Sequence, residues 1–339
     1  MSMAKHPPYH LRTNKAVDRL LLIKQIKAAV MADVGLKNCS TYHSLGGPFM
    51  EDLHLVHGAI PSMPLVCIES HHQTHLRQKN HTFSTNLELK NSTINDFIIH
   101  SYDPINPDIF WLDYTDFTLS RLSEIQTLLR LLLPGSLLRI TVATRNPASA
   151  NDLPDGIEDL LKIKIKESKL ELFKKSFEAF LPPKFHSTKS TNSQKSFNVL
   201  VQQIIRLAIS ECLDKTSDRE FIHLQSCYYN DGSPMLSVTG LICERSKQIS
   251  TRRKLQKSGL NVDKDWAAIE EINLPFLSLQ ERFILNKVLP HSDNTKFVGE
   301  VLHDALQYNI EQNEANSVAA LSQYATYRHE YPTFVRFNI

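Results

Sequence analysis

The sequence lacks a usable set of cysteines. Its five, Cys39, Cys67, Cys212, Cys227 and Cys243, stand far apart and never as C-x-x-C. An odd, scattered set argues against a disulfide framework and a cysteine-built zinc site, and implies a reducing, cytoplasmic setting. Charge of one sign is also lacking. The 38 Lys+Arg and 36 Asp+Glu leave a formal charge of +2, so no overall field draws the chain to nucleic acid or a membrane. The most apolar stretch, around Leu128 to Leu133, is far too short to cross a bilayer. The opening MSMAKHPPYHLRTNK has no apolar signal-peptide core, and no internal repeat is visible. Neither G-x-x-x-x-G-K-[ST] nor G-x-S-x-G occurs, so P-loop ATP hydrolysis and a hydrolase triad have no support.

What is present is ordinary for a globular chain: 42% hydrophobic and 22% charged residues. The 339 residues suffice for one large domain with additions, or for two. Val17, Leu20, Leu21, Ile23, Ile26, Ala29 and Val30 recur at helical spacing and predict a helix over 16–31. Short apolar strands then alternate with helical stretches. The strands are expected at 40–45, 65–68, 86–90, 109–112 and 137–144, and the helices at 51–58, 72–79, 93–100 and 119–133. Pro134-Gly135 stops the last of these helices. Five such units predict a parallel sheet covered by helices.

Residues 145–196 break the pattern and read as an insertion: a loop, a Lys/Glu-rich helix over 156–181, and a Ser/Thr/Lys stretch. An apolar helix at 197–213 follows. Two strand-like runs flank Asn230-Asp231-Gly232-Ser233, a strong antiparallel hairpin signal. The basic run from Lys247 to Lys264 reads as an exposed loop that could touch phosphates. Three further helices, at 277–289, 295–310 and 317–329, carry the spaced aromatics Tyr308, Tyr324, Tyr327, Tyr331, Phe334 and Phe337. Such residues usually pack a core or meet a protein partner. Domains are expected at 1–244, including the insertion, and at 245–339.

Ligands of open α/β sheets bind beyond the carboxyl ends of the strands. At the first strand's end stand Ser44, Leu45, Gly46, Gly47 and Pro48, where glycines allow a tight turn and close backbone approach. Glu69 ends the second strand, followed by Ser70. It lies about 20 residues after Gly46, the spacing of a ribose-binding carboxylate. Asn91 and Ser92 follow the third strand. Asp113 ends the fourth, in Trp111-Leu112-Asp113-Tyr114-Thr115-Asp116. A carboxylate there can take a proton from a nucleophile, and Tyr114 could stack on a flat substrate. His71 and His75, four apart, read as surface histidines; lacking an H-E-x-x-H pattern, they define no metal site.

With its five parallel strands, connecting helices and terminal hairpin, the chain resembles the class I, Rossmann-like S-adenosylmethionine-dependent methyltransferases, from about residue 16 to residue 244. The implied fold is α/β: a mostly parallel sheet with a C-terminal antiparallel hairpin and helical additions. The resemblance implies S-adenosylmethionine as cofactor. It would be bound by Ser44, Gly46, Gly47, Pro48, Glu69, Ser70, Asn91, Ser92 and Asp113, with Asp113 and Tyr114 as catalytic candidates. The family's glycine loop usually carries an acidic residue before G-x-G. Here Tyr42-His43-Ser44-Leu45-Gly46-Gly47 has none, and Glu51 or Asp52 are the nearest substitutes. The Asp-Pro-Pro-Tyr type of motif is absent, so methylation of exocyclic amines in DNA is not expected. The acceptor is an unidentified oxygen or nitrogen nucleophile. The alternative is an inactive module of the same fold, sensing a ligand or scaffolding an assembly.

Overall fold

A computed structural model describes residues 12–37, 40–147, 159–185, 193–216, 218–262, 265–289 and 297–332. The first helix, α1 (Thr13–Met31), is followed by strictly alternating units: β1 (Tyr42–Leu45), α2 (Glu51–Ala59), β2 (Leu65–Ile68), α3 (His72–Asn80), β3 (Leu87–Lys90), α4 (Ile94–His100), β4 (Ile109–Asp113), α5 (Leu119–Leu131) and β5 (Leu137–Ala143). After these come α6 (Asp159–Ser176), α7 (Gln194–Thr216), β6 (Arg219–Asn230), β7 (Pro234–Glu244), α8 (Gln248–Lys257), β8 (Glu270–Ile272), α9 (Leu279–Val288), α10 (Val298–Leu306) and α11 (Glu314–Tyr327).

Strands β1 to β7 lie side by side in the order β3-β2-β1-β4-β5-β7-β6. The first five are parallel, and β7 runs antiparallel to β5, from Leu137↔Leu241 to Ala143↔Met235. This is the expected mostly parallel α/β sheet with its antiparallel hairpin. Its order reverses between β1 and β4, which places a crevice at the carboxyl ends of those strands.

Local chemistry explains the element ends. Thr93 caps α4, accepting the Asp96 N–H at 3.1 Å, so an otherwise unpartnered helix donor is satisfied. Ser278 and Glu281 cap α9 reciprocally. At Gly135 φ is +100° and an added Cβ would meet Gly35 Cα at 2.9 Å. Only glycine permits that turn between α5 and β5.

One face of the sheet is apolar. Val66, Ile68, Phe110, Leu112, Leu138, Ile140, Val142, Leu236 and Val238 pack against α4, α5 and α7 through Phe97, Leu122, Leu128, Phe197 and Ile204. Each fully buried side chain of this size contributes about 1.5–3 kcal/mol of transfer free energy. The opposite face carries a buried polar strip. Trp111 Nε1 donates to Thr141 Oγ1 at 2.9 Å, Thr141 and Ser237 hydroxyls are 2.8 Å apart, and Arg139 donates to Thr239 Oγ1 at 2.8 Å.

The chain divides into two compact units. The larger comprises residues 23–228 and 233–270, and the smaller comprises residues 1–22, 229–232 and 271–339. Within the smaller one, Asn14 Nδ2 donates to Asp231 Oδ1 at 2.9 Å, and Tyr331 donates its hydroxyl to Pro275 O at 2.8 Å. Tyr324, Tyr327 and Tyr331 are buried there and Tyr308 is exposed. Phe334 and Phe337 lie outside the described residues, as do residues 1–11, 148–158 and 186–192.

Two expectations are corrected. The basic run is not all loop, because α8 forms within it, held by buried Leu255 and by Arg252, whose guanidinium lies 3.6 Å from Glu220. Lys264 lies outside the described residues. His75 is buried rather than on the surface, and His71 is the N-cap of α3, accepting the Thr74 N–H at 3.3 Å. His71 is exposed and His75 buried, so only one of the two lies at the surface. Among the described residues no helix is long and apolar enough to cross a membrane, and no group of three or more His, Cys, Asp or Glu could hold a metal ion.

Candidate active site

Strand register brings the candidate residues to one level. Leu45 pairs with Ile68, and Ile68 with Lys90. The next residues, Gly46, Glu69 and Asn91, are therefore aligned across three strands. Ser44 pairs with Trp111, which places Asp113 level with Gly46. Hydrogen bonds extend the ladder past the strand ends: Gly46 N to Ile68 O at 3.1 Å, Glu69 N to Lys90 O at 3.0 Å, and Tyr114 N to Thr141 O at 2.8 Å.

At the second strand's end, Glu69 is half-buried and Ser70 exposed. Glu69 Oε1 accepts the His71 N–H at 2.7 Å. Burial pushes the carboxyl above its ordinary range, opposed by the His71 backbone N–H and its ring charge and by the Ser70 N–H. Asn91 is held in place: its Nδ2 donates to Glu69 O at 2.9 Å and its Oδ1 lies 2.9 Å from His72 Nδ1. Ser92 N–H bonds the same Glu69 carbonyl at 3.1 Å. The Glu69 carboxylate has a second oxygen to offer to a pair of hydroxyls.

The glycine loop is built differently from its sequence reading. Gly46 is buried, and a Cβ there would sit 1.9 Å from Cys67 Sγ and 2.9 Å from Gln78 Nε2. Gln78, fully buried on α3, donates to the carbonyls of Gly46 at 3.1 Å and Gly47 at 3.0 Å. Gly46 is therefore required by packing against β2 and α3, and the loop's carbonyls are already used. Gly47 and Pro48 are half-buried, while Ser44 is buried within β1. Asp52 is engaged too, accepting the Tyr42 hydroxyl at 2.9 Å. Nothing in the sequence marks Gln78, a polar residue in a polar helix.

At the fourth strand's end, Asp113 is half-buried beside Thr141, the head of the polar strip. Tyr114 goes the other way. Its ring is 2% exposed in the core, under the Arg121 guanidinium at 4.8 Å. Burial and the Glu124 carboxylate push its phenol well up. A ring so placed packs the core rather than stacking on a substrate. Arg121 itself pairs with Asp116 at 3.0 Å and Glu124 at 3.2 Å, stiffening the loop. Arg139, a charge inside the otherwise apolar β5, is fully buried, with its guanidinium 5.5 Å from the centre of the Trp111 ring.

No curated protein matches the chain. Among solved structures it is similar to the plantazolicin methyltransferase BamL in complex with a triazolic desmethylPZN analog and SAH. The identity is 13%, with 69% of this chain and 88% of that chain covered, at a TM-score of 0.37. It is also similar to a 16S rRNA (adenine(1408)-N(1))-methyltransferase from Catenulisporales acidiphilia. There the identity is 12%, the coverage 65% of this chain and 90% of that one, and the TM-score 0.33. A family described as "Putative O-methyltransferase" matches residues 7–339, nearly the whole length, and the chain belongs to that family.

Proposed function

We propose that the protein is an S-adenosylmethionine-dependent methyltransferase with an oxygen or nitrogen acceptor. The observation that carries this reading is the alignment of Gly46, Glu69, Asn91 and Asp113 at one rim, beside the reversal of strand order. Membership of an O-methyltransferase family supports it, and favours an oxygen acceptor. The same membership gives no support to an inactive scaffold.

The residues at the rim fit the cofactor on its nucleoside side. The half-buried Glu69 carboxylate, with one oxygen fixed by His71 N–H, suits two ribose hydroxyls. Asn91 and Ser92, locked to the Glu69 carbonyl, suit the base edge. On the other side the backbone from Gly47 to Pro48 and the first turn of α2 lie beside the loop, and the Gly46 and Gly47 carbonyls are occupied by Gln78. When bound, the cofactor supplies a methyl group on a sulfonium. The protein's own residues do the rest. The rim would hold the acceptor beside that methyl group, and Asp113 would take the proton from the acceptor's oxygen or nitrogen. Tyr114, buried, holds the loop's shape.

The free cysteines among the described residues are buried, which agrees with a reducing cytoplasmic setting. Phe276, just before α9, and Leu279 and Phe283, four apart on α9, are 83%, 73% and 63% exposed and support a protein partner at the C-terminal helices. Nucleic-acid binding has less support, because Lys247 and Arg252 of the basic run are paired with Glu244 and Glu220.

Calorimetric titration tests the central reading. The wild type should bind S-adenosylmethionine and S-adenosylhomocysteine, and Glu69→Ala should weaken both at least about tenfold, the effect of removing a charged hydrogen bond of about 1.5–3 kcal/mol. Equal affinity in the variant, or none in the folded wild type, would overturn it.

A further inference from the structure

Helix α3 is polar along its whole length, yet Thr74, His75 and Gln78 are buried on it, and Gln78 completely so. A glutamine amide carries two N–H donors and an acceptor oxygen. Both donors of Gln78 go to the glycine loop, to Gly46 O at 3.1 Å and Gly47 O at 3.0 Å. Its own Oε1 is buried and makes no hydrogen bond. Turning the amide over would set that oxygen against two carbonyl oxygens, so its orientation is fixed. A buried acceptor left unmatched is unfavourable, and few are kept in native structures. Gln78 is placed for what it does to the loop.

The consequence falls on the loop's N–H groups. A trans peptide is planar, with its carbonyl and the following N–H pointing in opposite directions, and no peptide bond here is cis. With the Gly46 carbonyl drawn to Gln78, the Gly47 N–H points away from it. That N–H makes no hydrogen bond among the described residues. Its neighbours cannot replace it: the Gly46 N–H is given to Ile68 O at 3.1 Å, and Pro48 has no N–H. Beyond Pro48, the Met50 N–H donates to Gly47 O at 3.3 Å. Met50, the N-cap of α2, is buried at φ +48°, a left-handed conformation unfavourable for a residue with a side chain. The loop is thus held in one shape by α3 and α2, with a backbone donor left over on half-buried Gly47.

We propose that Gln78 is a positioning residue for the cofactor. It turns the Gly46 and Gly47 carbonyls away from the ligand and leaves the Gly47 N–H to donate to the carboxylate of the cofactor's amino-acid part. This rests on the methyltransferase reading, in which Glu69 takes the ribose and the loop beside it meets the other end of the ligand. A backbone N–H to a carboxylate is a charge-assisted hydrogen bond. Free carbonyl oxygens at the same place would repel that carboxylate, so one side chain removes two unfavourable groups and presents a favourable one.

Calorimetric titration of the full chain with three ligands tests this: S-adenosylhomocysteine, its decarboxylated form, and methylthioadenosine, which lacks the amino-acid part. The wild type should prefer S-adenosylhomocysteine to the decarboxylated form by at least about tenfold, the effect of a hydrogen bond to a charged group. Gln78→Met, similar in size but without donors, should lose at least about tenfold in S-adenosylhomocysteine affinity and keep its affinity for methylthioadenosine. A merely structural role would weaken both ligands together. Gln78→Glu should show the same split, and serves where Gln78→Met does not fold. Equal losses for the two ligands, or no loss for either, overturn the positioning role and leave the methyltransferase reading standing. So does a wild type that binds S-adenosylhomocysteine no better than its decarboxylated form. A folded wild type that binds none of the three overturns the methyltransferase reading and the positioning role with it.

Discussion

Gly46 is held by two neighbours, Cys67 and Gln78. Gly46→Ala should therefore lose stability through overpacking, about 1–3 kcal/mol by urea unfolding. Adding Cys67→Ala should restore a large part of that loss, and strict additivity in the double variant would contradict the close approach. Glu69 gives a second prediction. Its folded-state carboxyl is raised by burial, so protonation favours the folded form and the fold loses stability as pH rises from the ordinary glutamate range to the raised value. Ribose binding needs the ionised form. On acidification, S-adenosylhomocysteine affinity should then fall at a pH above the ordinary glutamate range, and Glu69→Gln should flatten that dependence. A wild-type profile that breaks only in the ordinary range would contradict it. Glu69 and Asp113 were legible because each ends an apolar strand. Gln78 was not, because its role comes from what α3 packs against.

At the scale of elements, the polar strip beneath Asp113 is a single connected piece. Thr141 Oγ1 accepts from Trp111 and faces Ser237. Thr141→Val removes that hydroxyl while leaving both partners buried, so it should cost about 1–3 kcal/mol in thermal or urea unfolding. Trp111→Phe in the same background should add less than it does alone. The alternation of strands and helices was readable from periodicity, and Asn230-Asp231-Gly232-Ser233 marked the hairpin between β6 and β7. Helix α8 was hidden by its own composition: Gln248–Lys257 shows few apolar residues, and its stability comes from Leu255 and the Arg252–Glu220 pair. The N-cap of α4 was equally quiet, and Thr93→Ala should cost about 0.5–2 kcal/mol, measured by unfolding.

At the scale of the whole molecule, function rests on a register. Four short parallel strands stop together, so residues 46, 69, 91 and 113, distant in sequence, share one edge. The most direct test is a crystal structure with S-adenosylhomocysteine bound. The ribose hydroxyls should lie about 3 Å from the Glu69 carboxylate, with Asp113 facing the sulfur side of the ligand. A ligand bound away from this edge, or a Glu69 side chain turned from the ribose, would contradict the account.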